Sequence, residues 1–174
     1  LMKLFWSYAR LDDKPPPQKL SNLRQAFETV LSQVIGEGCE IYFDRLSLKW
    51  GVEWRKEIEC QIKEADCFVA VVTPSFFNSK MCIFELQTAC AAGKKILPIY
   101  FRSCKELKSA FKEDGEEAEI NKALNNASLR VRDVQMKDFR ELRNEKLDSS
   151  KVENFLDKMA EEIASHNDKE PSSQ

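Results

Sequence analysis

The sequence predicts an α/β fold, a doubly wound parallel sheet of about five strands with helices on both faces. Three observations carry this. Short apolar runs alternate with stretches of helical periodicity, one run is apolar from end to end, and the order reads βαβαβαβ(α)βα. Such alternation gives parallel strands joined by right-handed crossovers, which lay helices on each side of the sheet. A chain of 174 residues, 43% hydrophobic and 32% charged, suffices for one such domain and falls short of two.

The first strand is expected over Lys3–Ser7 and the second over Glu40–Asp44. Cys67–Thr73 is the uniformly apolar run expected of a strand covered on both faces. Ile96–Phe101 is the fourth strand, and its Pro98, which has no N–H for the ladder, points to an edge or a local irregularity. A short fifth strand is expected over Val131–Met136.

From Lys19 to Ile35 the residues Leu20, Leu23, Phe27, Val30, Leu31 and Val34 form one helical stripe, closed by Gly36 and Gly38. Trp54, Ile58, Ile62 and Ala65 form a second stripe. Met81–Ala92 is a third helix, with Ser79 as its cap and Gly93 as its stop. Lys105–Leu124 reads as helical with a break at Asp114-Gly115. In the last helix Ser150 and Glu153 match a capping box, and Val152, Phe155, Leu156, Met159 and Ile163 face inward. The domain is therefore expected over residues 1–166, with 167–174 a polar tail or a linker to a missing region. Leu1 ahead of Met2 fits a segment cut from a longer protein.

Composition removes several function classes. A net charge of −2 gives no broad basic field for nucleic acid. No apolar run approaches the roughly 20 residues of a membrane helix. The single histidine, His166, rules against Cys–His or Ser–His pairs and against a His-based metal site. The five glycines match neither GxGxxG nor GxxxxGK[ST], so dinucleotide dehydrogenases and P-loop NTPases are excluded. A phosphoacceptor domain would need an aspartate closing the third strand, where Thr73 stands. The six cysteines show no metal-like spacing and read as buried, reduced thiols, which implies a cytoplasmic location.

In doubly wound sheets, ligands sit beyond the carboxyl ends of the strands where strand order reverses. The segments delivered there are Tyr8–Pro17, Asp44–Gly51 and Pro74–Ser79 with the start of the third helix. Glu85 stands out among them, as the only charged residue from Met81 to Gly93. No Lys or Arg lies one turn away on its own helix to pair with it. Two readings stand at this point: a rim carboxylate reaching water or an arginine from elsewhere, or a functional carboxylate whose burial a ligand offsets. Trp50 is a large aromatic in a loop, suited to ligand stacking or a protein contact. Tyr42 fits core and site equally.

Phe5-Trp6-Ser7-Tyr8-Ala9-Arg10 followed by Asp12 resembles the first box of the TIR (Toll/interleukin-1 receptor) domain family. Tyr42-Phe43-Asp44 through Leu48 and Gly51 resembles its second strand and BB loop. Thr73-Pro74-Ser75-Phe76-Phe77-Asn78-Ser79, Cys82 and Glu85-Leu86 are similar to the signature of bacterial members. Ile96-Leu97-Pro98-Ile99 and Asp138-Phe139-Arg140-Glu141-Leu142 fit later segments. The resemblance implies a flavodoxin-like sheet and, in the enzymatic members, cleavage of the nicotinamide–ribose bond of NAD+ as substrate, without a further cofactor.

By that resemblance Glu85 is the catalytic residue, and Ser7, Tyr8, Arg10, Tyr42, Asp44, Leu48, Trp50, Met81 and Cys82 surround the substrate. Arg10 would hold phosphates, Tyr8 and Trp50 would pack on the base, and Ser7 or Asp44 would shape the pocket. One position departs from the family: many enzymatic members carry an aromatic where this chain has Met81. The implied partners are NAD+, other TIR domains and a fused or separate sensor or effector domain, and the implied setting is anti-phage defence. The alternative is a TIR–TIR interaction module without catalysis.

Overall fold

The structure, a computed structural model, describes residues 1–43, 52–105 and 136–167. Five strands form one parallel sheet in the order β2-β1-β3-β4-β5: β1 (Met2–Ser7), β2 (Cys39–Tyr42), β3 (Cys67–Val72), β4 (Lys95–Tyr100) and β5 (Lys137–Asp138). This is the expected doubly wound, flavodoxin-like arrangement, with strand order reversing between β1 and β3. The central strand, β3, is buried along its whole length, as its unbroken apolar run requires.

Helices α1 (Lys19–Ile35) and α5 (Ser150–Asn167) cover one face. Helices α2 (Val52–Glu64), α3 (Pro74–Phe77) and α4 (Lys80–Ala91) cover the other. The two-residue alternation of β1 feeds both layers, since Leu4 and Trp6 enter the α1–α5 core while Phe5 enters the α2–α4 core.

Helix α1 runs over the expected residues because both ends are fixed locally. The buried carboxylate of Asp13 accepts from the N–H groups of Leu20 and Ser21, each at 2.9 Å, meeting two of the donors a helix start leaves unpaired. At the other end Gly36 turns at φ +76° and returns its N–H to Ser32 O at 3.0 Å, a conformation that glycine adopts without penalty. Two residues of α1 depart from the expected stripe. Val34 is 38% exposed, because the last turn faces an open surface cavity shared with Met2 and Ala164. Arg24 is buried instead, its guanidinium 3.6 Å above the Phe43 ring and its Nη1 2.9 Å from Glu28.

Other boundaries shift for identifiable reasons. β3 ends at Val72, because the Thr73 hydroxyl accepts the Phe76 N–H at 3.1 Å and starts α3, a four-residue helix the sequence reading did not separate. β2 stops at Tyr42, before the expected Asp44. The cap of α5 is Ser149 rather than Ser150: its Oγ accepts from the Val152 N–H at 3.3 Å, and Ser150 is already helical. The fifth strand begins at Lys137, just past the expected Val131–Met136, of which only Met136 is described. The helix read over Lys105–Leu124 lies outside the described residues except for Lys105, and so do residues 168–174.

Pro98 sits inside β4 opposite Ala70, in a strand paired on both sides. Phe139 N–H donates to Tyr100 O, so Tyr100 and, two residues earlier, Pro98 turn their backbone groups toward β5. β5 pairs only with Ile99 and Tyr100. The missing donor therefore faces no ladder among the described residues, which is why a proline is tolerated there.

No disulfide joins any of the six cysteines, all of which are described. Cys67, Cys82 and Cys104 are buried as expected, whereas Cys60 is exposed on α2. Among the described residues no helix is long and apolar enough to cross a membrane.

Candidate active site

The carboxyl ends of β1 and β3 meet at the strand-order reversal, and three local structures converge on them. A single 3₁₀ turn (Arg10–Asp13) follows β1, α3 follows β3, and α4 begins beside α3. The two strand ends are tied together by Asp12, whose Oδ2 accepts from the Thr73 hydroxyl at 2.5 Å. Thr73 thus uses its hydroxyl twice, accepting from Phe76 N–H while donating to Asp12. This cross-link fixes the turn after β1 against the start of α3.

Helix α4 is set by Ser79, whose Oγ accepts from Cys82 N–H at 3.2 Å. That cap places Glu85 one and a half turns into the helix, directed at the sheet. Glu85 is 0% exposed, and the Ser7 hydroxyl donates to its Oε1 at 3.3 Å. Ser7 itself is buried at the last position of β1. Burying a carboxylate in a protein interior costs on the order of several kcal/mol, so a fold that retains one at a strand-order reversal holds it against that penalty.

A cavity of about 390 Å³ opens beside this pair. Ala9, Arg10 and Leu11 line one wall, and Ser75, Asn78, Ser79 and Met81 line the other. Met81 lies one helical turn before Glu85, so the cavity reaches the turn of α4 that precedes the carboxylate. Glu85 is not among the lining residues.

The structure sorts the expected site residues into three groups. It brings Ser7, Glu85, Arg10 and Met81 to one edge of the α2–α4 side, with Ser7 and Glu85 in contact and Arg10 and Met81 on the cavity wall. Tyr42 joins that side, its ring 5.4 Å from Phe5 and its body packed on the second core. Two residues are placed elsewhere. Cys82 is fully buried in the α2–α4 core rather than on the cavity wall. Tyr8 packs against the α1–α5 core, on the opposite face of the sheet from Glu85, because it continues the Leu4–Trp6 register of β1. Asp44, Leu48 and Trp50 lie outside the described residues.

Asp12, Thr73, Ser75 and Asn78 also belong to this region; they stand in the motifs that carry the family resemblance, but none of them is among the expected site residues. Thr73 carried a readable signal, a hydroxyl residue immediately before Pro74, which is the cap-then-proline order of a helix start. Ser75 and Asn78 carried only their place in that motif, since nothing in their residue type marks a cavity wall.

Residues 5–148 match the TIR domain family. Among solved structures, the TIR domains of the activated Roq1 resistosome, which directly recognizes the pathogen effector XopQ, share the fold with a TM-score of 0.56. That likeness is at 16% sequence identity and covers 94% of this chain and 99% of that one. The search of curated proteins gives no match. With the family match spanning both strand ends, the 3₁₀ turn, α3, α4 and Glu85, the chain belongs to the TIR domain family.

Proposed function

We propose that this TIR domain is an NAD+ nucleosidase, with Glu85 as its catalytic carboxylate. One observation carries the reading: a fully buried carboxylate, hydrogen-bonded by Ser7, is held beside a cavity at the strand-order reversal. The chemistry suits a single acid. Most glycosidases need a second carboxyl group to protonate a neutral leaving oxygen. The nicotinamide of NAD+ is already cationic and leaves neutral, so no proton donor is required. The ribose left behind develops oxocarbenium character, which an adjacent anion stabilises.

In this reading the Ser7 hydroxyl fixes the orientation of the Glu85 carboxylate. Arg10 supplies positive charge for the pyrophosphate at the cavity wall, and Met81 takes the place of an aromatic against the nicotinamide. Asp44, Leu48, Trp50 and Tyr42 are proposed to complete the substrate contacts, and Tyr8, packed on the other face of the sheet, is not part of them. Water as acceptor gives ADP-ribose, and an internal nucleophile of the ADP-ribosyl group gives a cyclic product. A cytoplasmic setting is supported by six cysteines without a disulfide. A role in bacterial anti-phage defence, activated by association with other TIR domains, rests on the family resemblance.

The test is nicotinamide release from NAD+ by concentrated protein, with products identified by mass. Glu85→Gln keeps the side-chain shape and removes the charge. It is expected to lower turnover by about 10²–10³, the scale seen when one transition-state electrostatic partner is lost. Equal turnover by the variant would overturn the assignment.

One observation favours a second reading, a TIR–TIR interaction module without catalysis. The cavity is walled by Met81, while Glu85 is fully buried behind it. An absence of nicotinamide release even after forced oligomerisation would select this reading.

A further inference from the structure

A second cavity, of about 290 Å³, lies at the same edge of the sheet but on the opposite face, between the start of α1, the ends of β4 and β5, and the segment that leads into α5. Its floor is apolar. The buried side chains of Leu23, Phe101 and Phe139 line it, and the two phenylalanine rings are stacked with centroids 5.9 Å apart. Its rim is cationic, with Lys19, Arg143 and Lys146 around the mouth.

Among the described residues the charges on this rim are not balanced. Lys19 Nζ donates to Asn144 Oδ1 at 3.0 Å, and Arg143 Nη1 donates to Phe101 O at 3.4 Å, both neutral acceptors. Lys146 forms no ion pair among the described residues. The one acid among the described lining residues, Glu145, is turned to Lys151 at 3.9 Å. Three cations therefore converge on a pocket whose base is hydrocarbon. Among the described residues Arg143 is held by a single carbonyl contact, which leaves most of its planar donor set for an incoming anion.

The geometry points to a binding site for a small organic anion, a compact apolar or aromatic body carrying one phosphate or carboxylate group, with the body on Leu23, Phe101 and Phe139 and the charge between Lys19, Arg143 and Lys146. The volume sits at the lower end of ligand pockets, which selects a single ring or short chain over a nucleotide. The site lies across the sheet from Glu85 and does not depend on the catalytic reading.

The experiment is an amide-resonance titration of the whole chain with phenyl phosphate, inorganic phosphate and benzyl alcohol as separate probes. Phenyl phosphate is expected to shift Leu23, Phe139, Asn144 and Leu147 saturably, with a Kd of about 1 mM or lower. Inorganic phosphate and benzyl alcohol, each having half of the recognised chemistry, are expected to bind at least about tenfold more weakly. Arg143→Met with Lys146→Met is expected to weaken phenyl phosphate by about tenfold. Should that pair unfold the chain, Lys146→Met alone, at an exposed side chain, is expected to weaken it about threefold. Shifts that do not saturate, phosphate binding as tightly as phenyl phosphate, or unchanged affinity in the variants would each overturn the site. Tighter binding of an acidic phenylalanine-containing peptide would overturn the small-molecule assignment in favour of a protein partner.

Discussion

The hydroxyl of Ser7 donates to Oε1 of Glu85 at 3.3 Å, joining the last residue of β1 to the middle of α4 across 78 positions of sequence. Both side chains are fully buried, so the contact is made away from bulk solvent. It makes the orientation of the carboxylate a property of the sheet.

Ser7→Ala removes the donor and leaves the Glu85 carboxyl group in place. Hydrogen bonds to charged groups contribute about 1.5–3 kcal/mol, so under the proposed function kcat for nicotinamide release is expected to fall by roughly tenfold to a hundredfold. KM is expected to change little, because Ser7 acts through Glu85. Steady-state kinetics check this, and a change confined to KM would place Ser7 on the substrate instead.

Glu85→Gln should separate function from stability. The amide keeps an acceptor for Ser7 and lifts the penalty of burying a charge. The variant is expected to melt no lower than the parent while losing turnover. Calorimetry decides, and a large drop in Tm would reassign Glu85 to a structural role.

Ser149→Ala is expected to lower stability by about 1 kcal/mol, the usual worth of a helix cap, or roughly 2–4 °C in Tm for a chain of this size. Ser150→Ala is expected to stay within about 0.5 kcal/mol. Thermal melts of the two variants side by side test which serine caps α5.

Thiol reactivity should follow burial and local charge. Burial pushes the Cys67 thiol up to about 12, so it stays protonated and unreactive in the folded protein near pH 8. Cys60 is exposed, but the neighbouring Glu64 carboxylate raises its pKa and reduces its thiolate fraction. Glu64→Gln lowers that pKa and is expected to speed maleimide labelling of Cys60 at pH 7.5 by a few fold. Peptide mapping after brief labelling reads both effects. Faster labelling of Cys67 than of Cys60 would contradict the burial.

Much of the fold was legible because its elements carry strong periods. β3 could be read from six consecutive apolar residues, and α1 from a stripe closed by a glycine that does turn at positive φ. The errors fall where period says little. Four residues, Pro74–Phe77, are too few to show a helical repeat. Adjacent serines at 149 and 150 both suit a helix start, and only the Val152 N–H distinguishes them. Val34 keeps the helical phase of its stripe, yet phase cannot tell that the last turn opens onto a surface cavity.

The candidate site was legible to the extent that one acid stood in an apolar helix. Glu85 and Ser7 were identified from sequence and are in contact. The placement of Tyr8 was available too: alternation along β1 already sets it with Leu4 and Trp6, away from Ser7. The motif drew it toward the site, while the pleat put it on the other side. The Asp12–Thr73 link was not readable, since it joins residues 61 positions apart through a loop side chain.

Helix α5 has a consequence for where this unit can be divided. The family match stops at residue 148, yet Val152, Leu156, Met159, Ala160 and Ile163 pack directly on Leu20, Leu23, Phe27 and Leu31. Glu162 further clasps the sheet, reaching Lys137 at 2.6 Å and Lys95 at 3.7 Å. A fragment ending at the matched boundary would leave the greasy side of α1 facing solvent, so a dissection that is to stay folded is expected to need the chain at least through Ile163.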